Sequence, residues 1–169
     1  MGYQILRGSP RDRALLLKLL ARTYRELLPA GSAQGDLGTF VEDYLSPRTP
    51  LWWVWGDRED AESRHPGTPW GGLWLSPTRD RATGDQWAQI LWLYVQPDRR
   101  RQGIATALLA TAEAEAEKWG SDRLALQVFD HNGPAIALYG HYGFGPHSQV
   151  LTKAVRSGGW GDRPNPERP

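Results

Sequence analysis

Cysteine is absent from all 169 residues. That excludes disulfides, thiolate zinc sites, thiol nucleophiles and cysteine redox chemistry, and it fits a reducing compartment. An excess of charge is also lacking. Twenty Lys+Arg against nineteen Asp+Glu leave a net charge of +1, without the basic excess of a general nucleic-acid binder. Histidine is scarce. His65, His131, His141 and His147 include no HExxH pair, and no metal site is expected. No apolar run approaches the ~20 residues of a membrane span, and Met1 to Pro10 lack the apolar stretch of a secretory signal. Leu6 stands where the myristoylation pattern needs Ser or Thr. The expectation is a soluble, cytoplasmic protein. No GxxxxGK[ST] occurs, so there is no P-loop. Gly143-Phe144-Gly145 is followed by Ser148 rather than Gly and by no helix, so there is no dinucleotide fingerprint. There is no internal repeat. One domain over 1–156 and a flexible tail over 157–169, rich in Gly, Pro and charge, are expected.

Several segments carry clear patterns. Residues 3–7 read as a strand. Ser9 then caps a helix with Pro10 at its first position and Asp12 at its positive end. Leu15, Leu16, Leu19, Leu20, Tyr24, Leu27 and Leu28 keep helical spacing until Pro29 and Gly31. Asp36 opens a short helix with Leu37, Phe40, Val41, Tyr44 and Leu45 inward, stopped by Pro47 and Pro50. Strands follow at 51–55, at 70–75 (closed by Ser76-Pro77) and at 87–95, with polar loops at 57–69 and 78–85. The third strand is apolar on both faces after Ile90, as a strand covered on both sides would be. A helix over 102–119 buries Ile104, Leu108, Ala112, Ala116 and Trp119 and turns Glu113, Glu115 and Glu117 outward. A strand at 123–129, a helix from Asn132 to about Tyr142 and a strand at 150–155 complete an α/β (α+β mixed) layer fold. Antiparallel hairpins feed a partly parallel pair.

Seven of the nine tryptophans fall between residues 51 and 92. They read as large core residues of the sheet, or in part as the wall of a substrate pocket. Trp53 and Trp55 share one face and Trp52 takes the other.

The segment Pro97-Asp98-Arg99-Arg100-Arg101-Gln102-Gly103-Ile104-Ala105 breaks a rule. A helix N-terminus carries roughly half a positive charge and favours acids. Here three arginines precede it, and the helix holds no acid before Glu113. An external anion would resolve the conflict. Gly103 removes a side chain where the backbone must approach that anion, and the first-turn N–H groups are free to bind it. The alternative is a solvated basic turn with no ligand.

These residues resemble a family. Arg100, Gly103 and Ala105 match [RQ]-x-x-G-x-[GA], the acetyl-CoA signature of the GNAT N-acetyltransferases. Asn132, Ala135, Leu138 and Tyr139, followed by Gly143-Phe144, are similar to its N-x-x-A-x-x-L-Y…GF segment. The resemblance covers roughly residues 86–155. It implies a GNAT-like central mixed sheet with helices on both faces. The parallel strands at 87–95 and 123–129 would splay to form the acetyl-CoA cleft. Leu93, Tyr94 and Val95 match the backbone that pairs with the pantetheine arm. Arg100, Arg101, Gln102, Gly103, Ile104, Ala105 and Thr106 match the pyrophosphate turn. Asn132 matches a cofactor-contacting asparagine and equally a plain N-cap. Tyr139 matches the catalytic general acid and equally a core tyrosine.

A thiol of pKa ~8.5 and a phenol of pKa ~10 can exchange a proton when a thiolate forms beside the hydroxyl. Without cysteine an acetyl-cysteine intermediate is impossible, and direct attack in a ternary complex is expected. Backbone N–H near Val95 could polarise the thioester. Gln89 stands where many members carry a basic Glu. Asp85, Glu42, Asp43, His131, His147 or a water chain remain as bases, and the absent Glu leans toward a less basic amine. Tyr24, Phe40, Tyr44, Trp53, Trp55 and Trp74 are the acceptor-binding candidates, and their aromatic rings suit an apolar or cationic group. The expected activity is acetyl transfer from acetyl-CoA, without metal, to a primary amine of a small molecule or a peptide N-terminus. The protein would be a monomer or homodimer with no nucleic-acid or membrane partner. The alternatives are a non-catalytic CoA-binding sensor or interaction module of the same fold, and an RNA-binding domain built on Arg99 to Arg101, which lacks RNP-type aromatics.

Overall fold

The structure is a computed structural model and describes residues 2–29, 35–57, 67–80 and 82–153. After β1 (Tyr3–Arg7), Ser9 and Asp12 close a capping box around a 3-10 turn at Pro10–Asp12. The turn runs into α1 (Arg13–Leu27). Asp36 caps α2 (Leu37–Tyr44) by accepting from Thr39 N–H at 3.0 Å. β2 (Leu51–Gly56), β3 (Gly71–Arg79) and β4 (Gln86–Val95) follow, then α3 (Ile104–Lys118), β5 (Arg123–Leu126) and α4 (Gly133–Tyr142).

The strands form one sheet in the order β1-β2-β3-β4-β5. The first four pair antiparallel and β4 pairs with β5 in parallel. The mixed sheet foreseen from the element order is present. β3 runs four residues beyond its expected end, through Pro77 to Arg79. Leu75 N–H donates to Pro50 C=O at 3.0 Å. Two residues on, the nitrogen of Pro77 faces the same side, where β2 has not yet begun, so its missing donor costs no ladder bond.

Two cores sandwich the sheet. α3 lays Ile104, Leu108, Leu109 and Ala112 on Trp52, Val54, Leu73, Ala88 and Ile90, with Leu138 and Tyr139 of α4 packed beside them. On the other face, α1 and α2 lay Leu16, Leu19, Leu20 and Val41 on Trp53, Trp74, Trp92 and Tyr94. Trp53 and Trp55 share that second face and Trp52 takes the first, as alternation requires. The indole N–H groups of Trp53, Trp74 and Trp92 are held by Asp12, the Thr49 carbonyl and Thr23 at 2.9, 3.2 and 2.9 Å. These three are core residues with satisfied donors.

Three expectations are corrected. Glu115 faces inward at 7% exposure, because Arg7 and Lys118 reach it at 3.2 and 3.1 Å and compensate its carboxylate. β5 stops at Leu126 instead of 129. Residues 150–153 form no strand, and Val150 and Leu151 stand exposed with no strand beside them among the described residues. The rest of the expected 150–155 strand and the 157–169 tail lie outside the described residues.

Candidate active site

The early end of β5 has a mechanical cause. β4 and β5 pair from Trp87↔Arg123 to Ile90↔Leu126. The β3–β4 register then shifts, with Trp74 opposite Trp92 but Leu75 opposite Ile90, which leaves Leu91 as an extra residue on β4. Leu91 and Trp92 consequently both turn toward α1 and α2. A bulge bends and twists its strand. The bend falls where the parallel ladder ends, and β4 continues through Val95 without a partner on that side among the described residues.

Backbone polarity along this free stretch follows from the register. Gln96 N–H donates to the Trp70 carbonyl at 2.8 Å. By antiparallel alternation Tyr94 and Trp92 also direct their backbone groups to β3, and Leu93 and Val95 direct theirs to the open side. Val95 C=O is taken by Arg100 Nε at 2.9 Å. The remaining groups of Leu93 and the N–H of Val95 form the kind of edge to which an extended polar chain can add.

The strand leads through a 3-10 turn at Pro97–Arg99 to the start of α3. Gly103 is the N-cap of α3, with φ 77°, and Arg101 has φ 63°. The left-handed conformation suits glycine and strains arginine. The N–H groups of Arg101, Gln102, Gly103, Ile104, Ala105 and Thr106 find no acceptor among the described residues, and the first bond of the helix is Ala107 N–H to Gly103 C=O. A Cβ on Gly103 would meet nothing within 4 Å. The result is an open concavity of donors at a positive helix end, with no acid in the first turn.

The three arginines divide their work. Arg99 stacks on Trp70, 4.2 Å from its ring centre. Arg100 reaches back to Glu26 of α1 at 2.6 Å as well as to Val95. Arg101 is exposed and has no partner among the described residues. Glu26 also accepts from the Tyr94 hydroxyl at 2.7 Å and lies 3.5 Å from Arg22. Burial opposes ionisation of Glu26, but the bonds from Tyr94 and Arg100 and the two guanidinium charges outweigh it and hold the carboxyl below its ordinary range. Burial and the same carboxylate push Tyr94 up to about 12. Arg100, which the resemblance assigns to the pyrophosphate turn, holds Glu26, 74 residues away, with its side chain.

Tyr139 lies on α4, partly buried against the α3-side core and 5.7 Å from Phe144 in an edge contact. Its hydroxyl bonds to no described residue, and burial raises its pKa. Asn132 caps α4 through Ala135 N–H at 3.4 Å.

An apolar pocket of about 390 Å³ opens between the end of α1, the start of α2 and the segment after β5. Tyr24 and Phe40, foreseen as acceptor residues, line it together with Leu28, Leu37 and Phe129, which were not. Trp53 and Trp74 are 3% and 0% exposed and belong to the core. Tyr44, expected inward, is 45% exposed and stands beside Phe40 at 5.1 Å, outside the lining. Among the possible bases, Glu42 is paired with Arg13. Asp85 accepts from Thr83, and His147 sits on Trp87 near Asp80, both at the hairpin end of β4 opposite the gap. His131 is near the pocket, stacked on Phe129 and bonded to Leu27 C=O at 2.8 Å. No group of three or more His, Cys, Asp or Glu among the described residues could hold a metal. No helix among them is long and apolar enough to cross a membrane.

Known proteins resemble this chain in sequence and in fold. The human (Homo sapiens) N-acetyltransferase 8 is 31% identical over 109 residues, which are 64% of this chain and 44% of that protein. The chain spans about half the length of the curated relatives it matches. A putative acetyl transferase from Pyrococcus furiosus superposes with a TM-score of 0.72 at 20% identity, covering 91% of this chain and all of that one. An aminoglycoside N-acetyltransferase in complex with CoA superposes with a TM-score of 0.65 at 17% identity, covering 92% and 95%. These two likenesses concern the fold. Residues 16–144 match the family model of the acetyltransferase (GNAT) family, and the chain belongs to that family.

Proposed function

We propose that the chain is an N-acetyltransferase that uses acetyl-CoA to acetylate a primary amine by direct attack. One observation carries the reading. The β4–β5 ladder ends at the Leu91 bulge, and the gap leads to a helix N-terminus whose donors have no acceptor among the described residues. A pantetheine arm suits the free edge at Leu93 and Val95. A pyrophosphate suits the N–H groups of Arg101 to Thr106, and Arg101 supplies a charge with no partner among the described residues. The residues present therefore fit the cofactor, and Asn132 stands at the mouth of α4 for a further contact.

When bound, acetyl-CoA supplies a thioester whose carbonyl an amine attacks, forming C–N and releasing the thiol. Tyr139 is the proton donor to the departing sulfur. Its raised pKa keeps the hydroxyl protonated until a thiolate develops beside it. The unbonded hydroxyl needs to leave no partner to do so. A backbone N–H of the same edge, near Val95, polarises the carbonyl. Gln89 cannot take the proton lost by the amine; His131 beside the pocket or a water chain receives it.

Calorimetric titration tests the cofactor half, with acetyl-CoA, free CoA and ATP as a control. Micromolar binding of both CoA species, lost in Gly103→Glu, supports it; a folded protein that binds neither overturns it. Thiol release with a panel of amines tests the reaction, with no protein thiol to give background. Tyr139→Phe should lower kcat by about tenfold or more with CoA affinity kept. Unchanged turnover would remove Tyr139 from the mechanism.

A further inference from the structure

Resting on the acetyltransferase reading, we infer that the acceptor is a primary amine on a compact aromatic body, and not a polycationic amine. The pocket beside the gap selects it. Phe129 lies three residues beyond Leu126, where the parallel ladder ends, so this wall stands on the open side of the cleft. Tyr24 and Phe40 pack against the core that contains Trp92 and Tyr94 of the free stretch of β4. The pocket thus lies on the α1–α2 face of the sheet, against the side chains of that free stretch.

Volume, lining and charge agree on the class. About 390 Å³ is toward the small end of ligand pockets. It holds an aromatic ring with a short chain. Leu28, Leu37, Tyr24, Phe40 and Phe129 give it an apolar wall. The rings are set in place before any ligand arrives. Phe40 meets Trp74 edge-on at 5.3 Å. Phe129 stacks on His131 at 5.3 Å, and His131 is tethered to the end of α1 through Leu27 C=O. Fixed ring edges and faces favour another ring. Among the described residues the lining has a single carboxylate, Asp36. Its oxygens are engaged by Thr39 N–H and Oγ1 at 3.0 and 2.7 Å as the cap of α2. An acceptor with several ammonium groups would find no matching set of acids there, and desolvating unpaired charges against this wall is costly.

Thiol release at saturating acetyl-CoA tests the inference, with phenethylamine and tryptamine compared with spermidine and kanamycin. The aromatic amines should exceed the polycations by about tenfold or more in kcat/KM. Phe129→Ala and Phe40→Leu should each raise KM for phenethylamine several-fold while calorimetric CoA affinity stays within about twofold. Folding of each variant is checked by its thermal transition. Preference for spermidine or kanamycin overturns the inference, and so does a phenethylamine KM that neither variant moves. CoA binding without turnover of any aromatic amine also overturns it and leaves the cofactor site standing. Failure to bind CoA overturns the parent reading instead.

Discussion

Arg101 and Gly103 sit two residues apart with φ of 63° and 77°. Their left-handed backbone shapes the donor concavity, so side-chain changes there separate strain from charge. Gly103→Ala places a methyl in open space, and its cost is the left-handed conformation alone, about 1 kcal/mol. Gly103→Glu has the same backbone cost and adds an anion where the proposed pyrophosphate would sit. Thermal denaturation should show similar losses for the two variants, while calorimetry should show CoA affinity falling at least about tenfold further in Gly103→Glu. Equal affinities would mean that no phosphate occupies the turn. The arginines divide in the same way. Arg101→Ala should weaken CoA binding and flatten its salt dependence, because Arg101 is the exposed charge without a partner among the described residues. Arg100→Met should act first on thermal stability, since its guanidinium holds Glu26 and the Val95 carbonyl. A reversal of those two phenotypes would show that Arg100 leaves Glu26 to meet the ligand.

Glu26 joins three elements: α1 that bears it, β4 through Tyr94, and the turn before α3 through Arg100. Its pKa is lower folded than unfolded. A depressed carboxylate contributes stability that is fully present above its unfolded pKa and is lost as pH falls through the folded value. The tie therefore holds at neutral pH and fails below the ordinary carboxylate range. Denaturant unfolding followed from pH 7 to pH 3 should show a shallower acid loss in Glu26→Gln than in the wild type, and identical slopes would sink the assignment. The sequence could not reveal this contact, since residues 26 and 100 lie far apart and no periodicity links them. What periodicity does reveal is local: the α3 stripe from Ile104 to Ala116, the Ser9 and Asp36 caps, and the opposite faces of Trp52 and Trp53 all appear as read. The bulge was hidden because one extra apolar residue, Leu91, does not interrupt an apolar strand that is covered on both faces. Hence the overlong expectation for β5, and hence also the missed Phe129, which leaves the sheet to line the pocket. Glu115 was misplaced because its charge outweighed its position in reading one helix, while Arg7 and Lys118 compensate it across the fold.

At the scale of the molecule, the two cores share the same strands. Trp52 and Trp53 are neighbours on β2, yet one packs under α3 and the other under α1. Loosening either face disturbs the backbone that orders the other, and we propose that residues 1–156 unfold as one unit. Leu108 and Leu20 are 0% and 1% exposed on opposite faces. Leu108→Ala and Leu20→Ala should each cost about 2–5 kcal/mol through lost contacts and residual cavity. The decisive measurement is the shape of the transition. Tryptophans on both faces report by fluorescence and the helices by far-UV circular dichroism, and the two signals should fall together in the wild type and in both variants. A variant whose helical signal persists after its fluorescence has changed would show that one layer survives the other. Reductant should leave the midpoint unmoved in every case, because no thiol or disulfide exists to respond. Coincident transitions would also mean that the anion turn and the acceptor pocket lose their shape together, since β4 and the end of α1 support both.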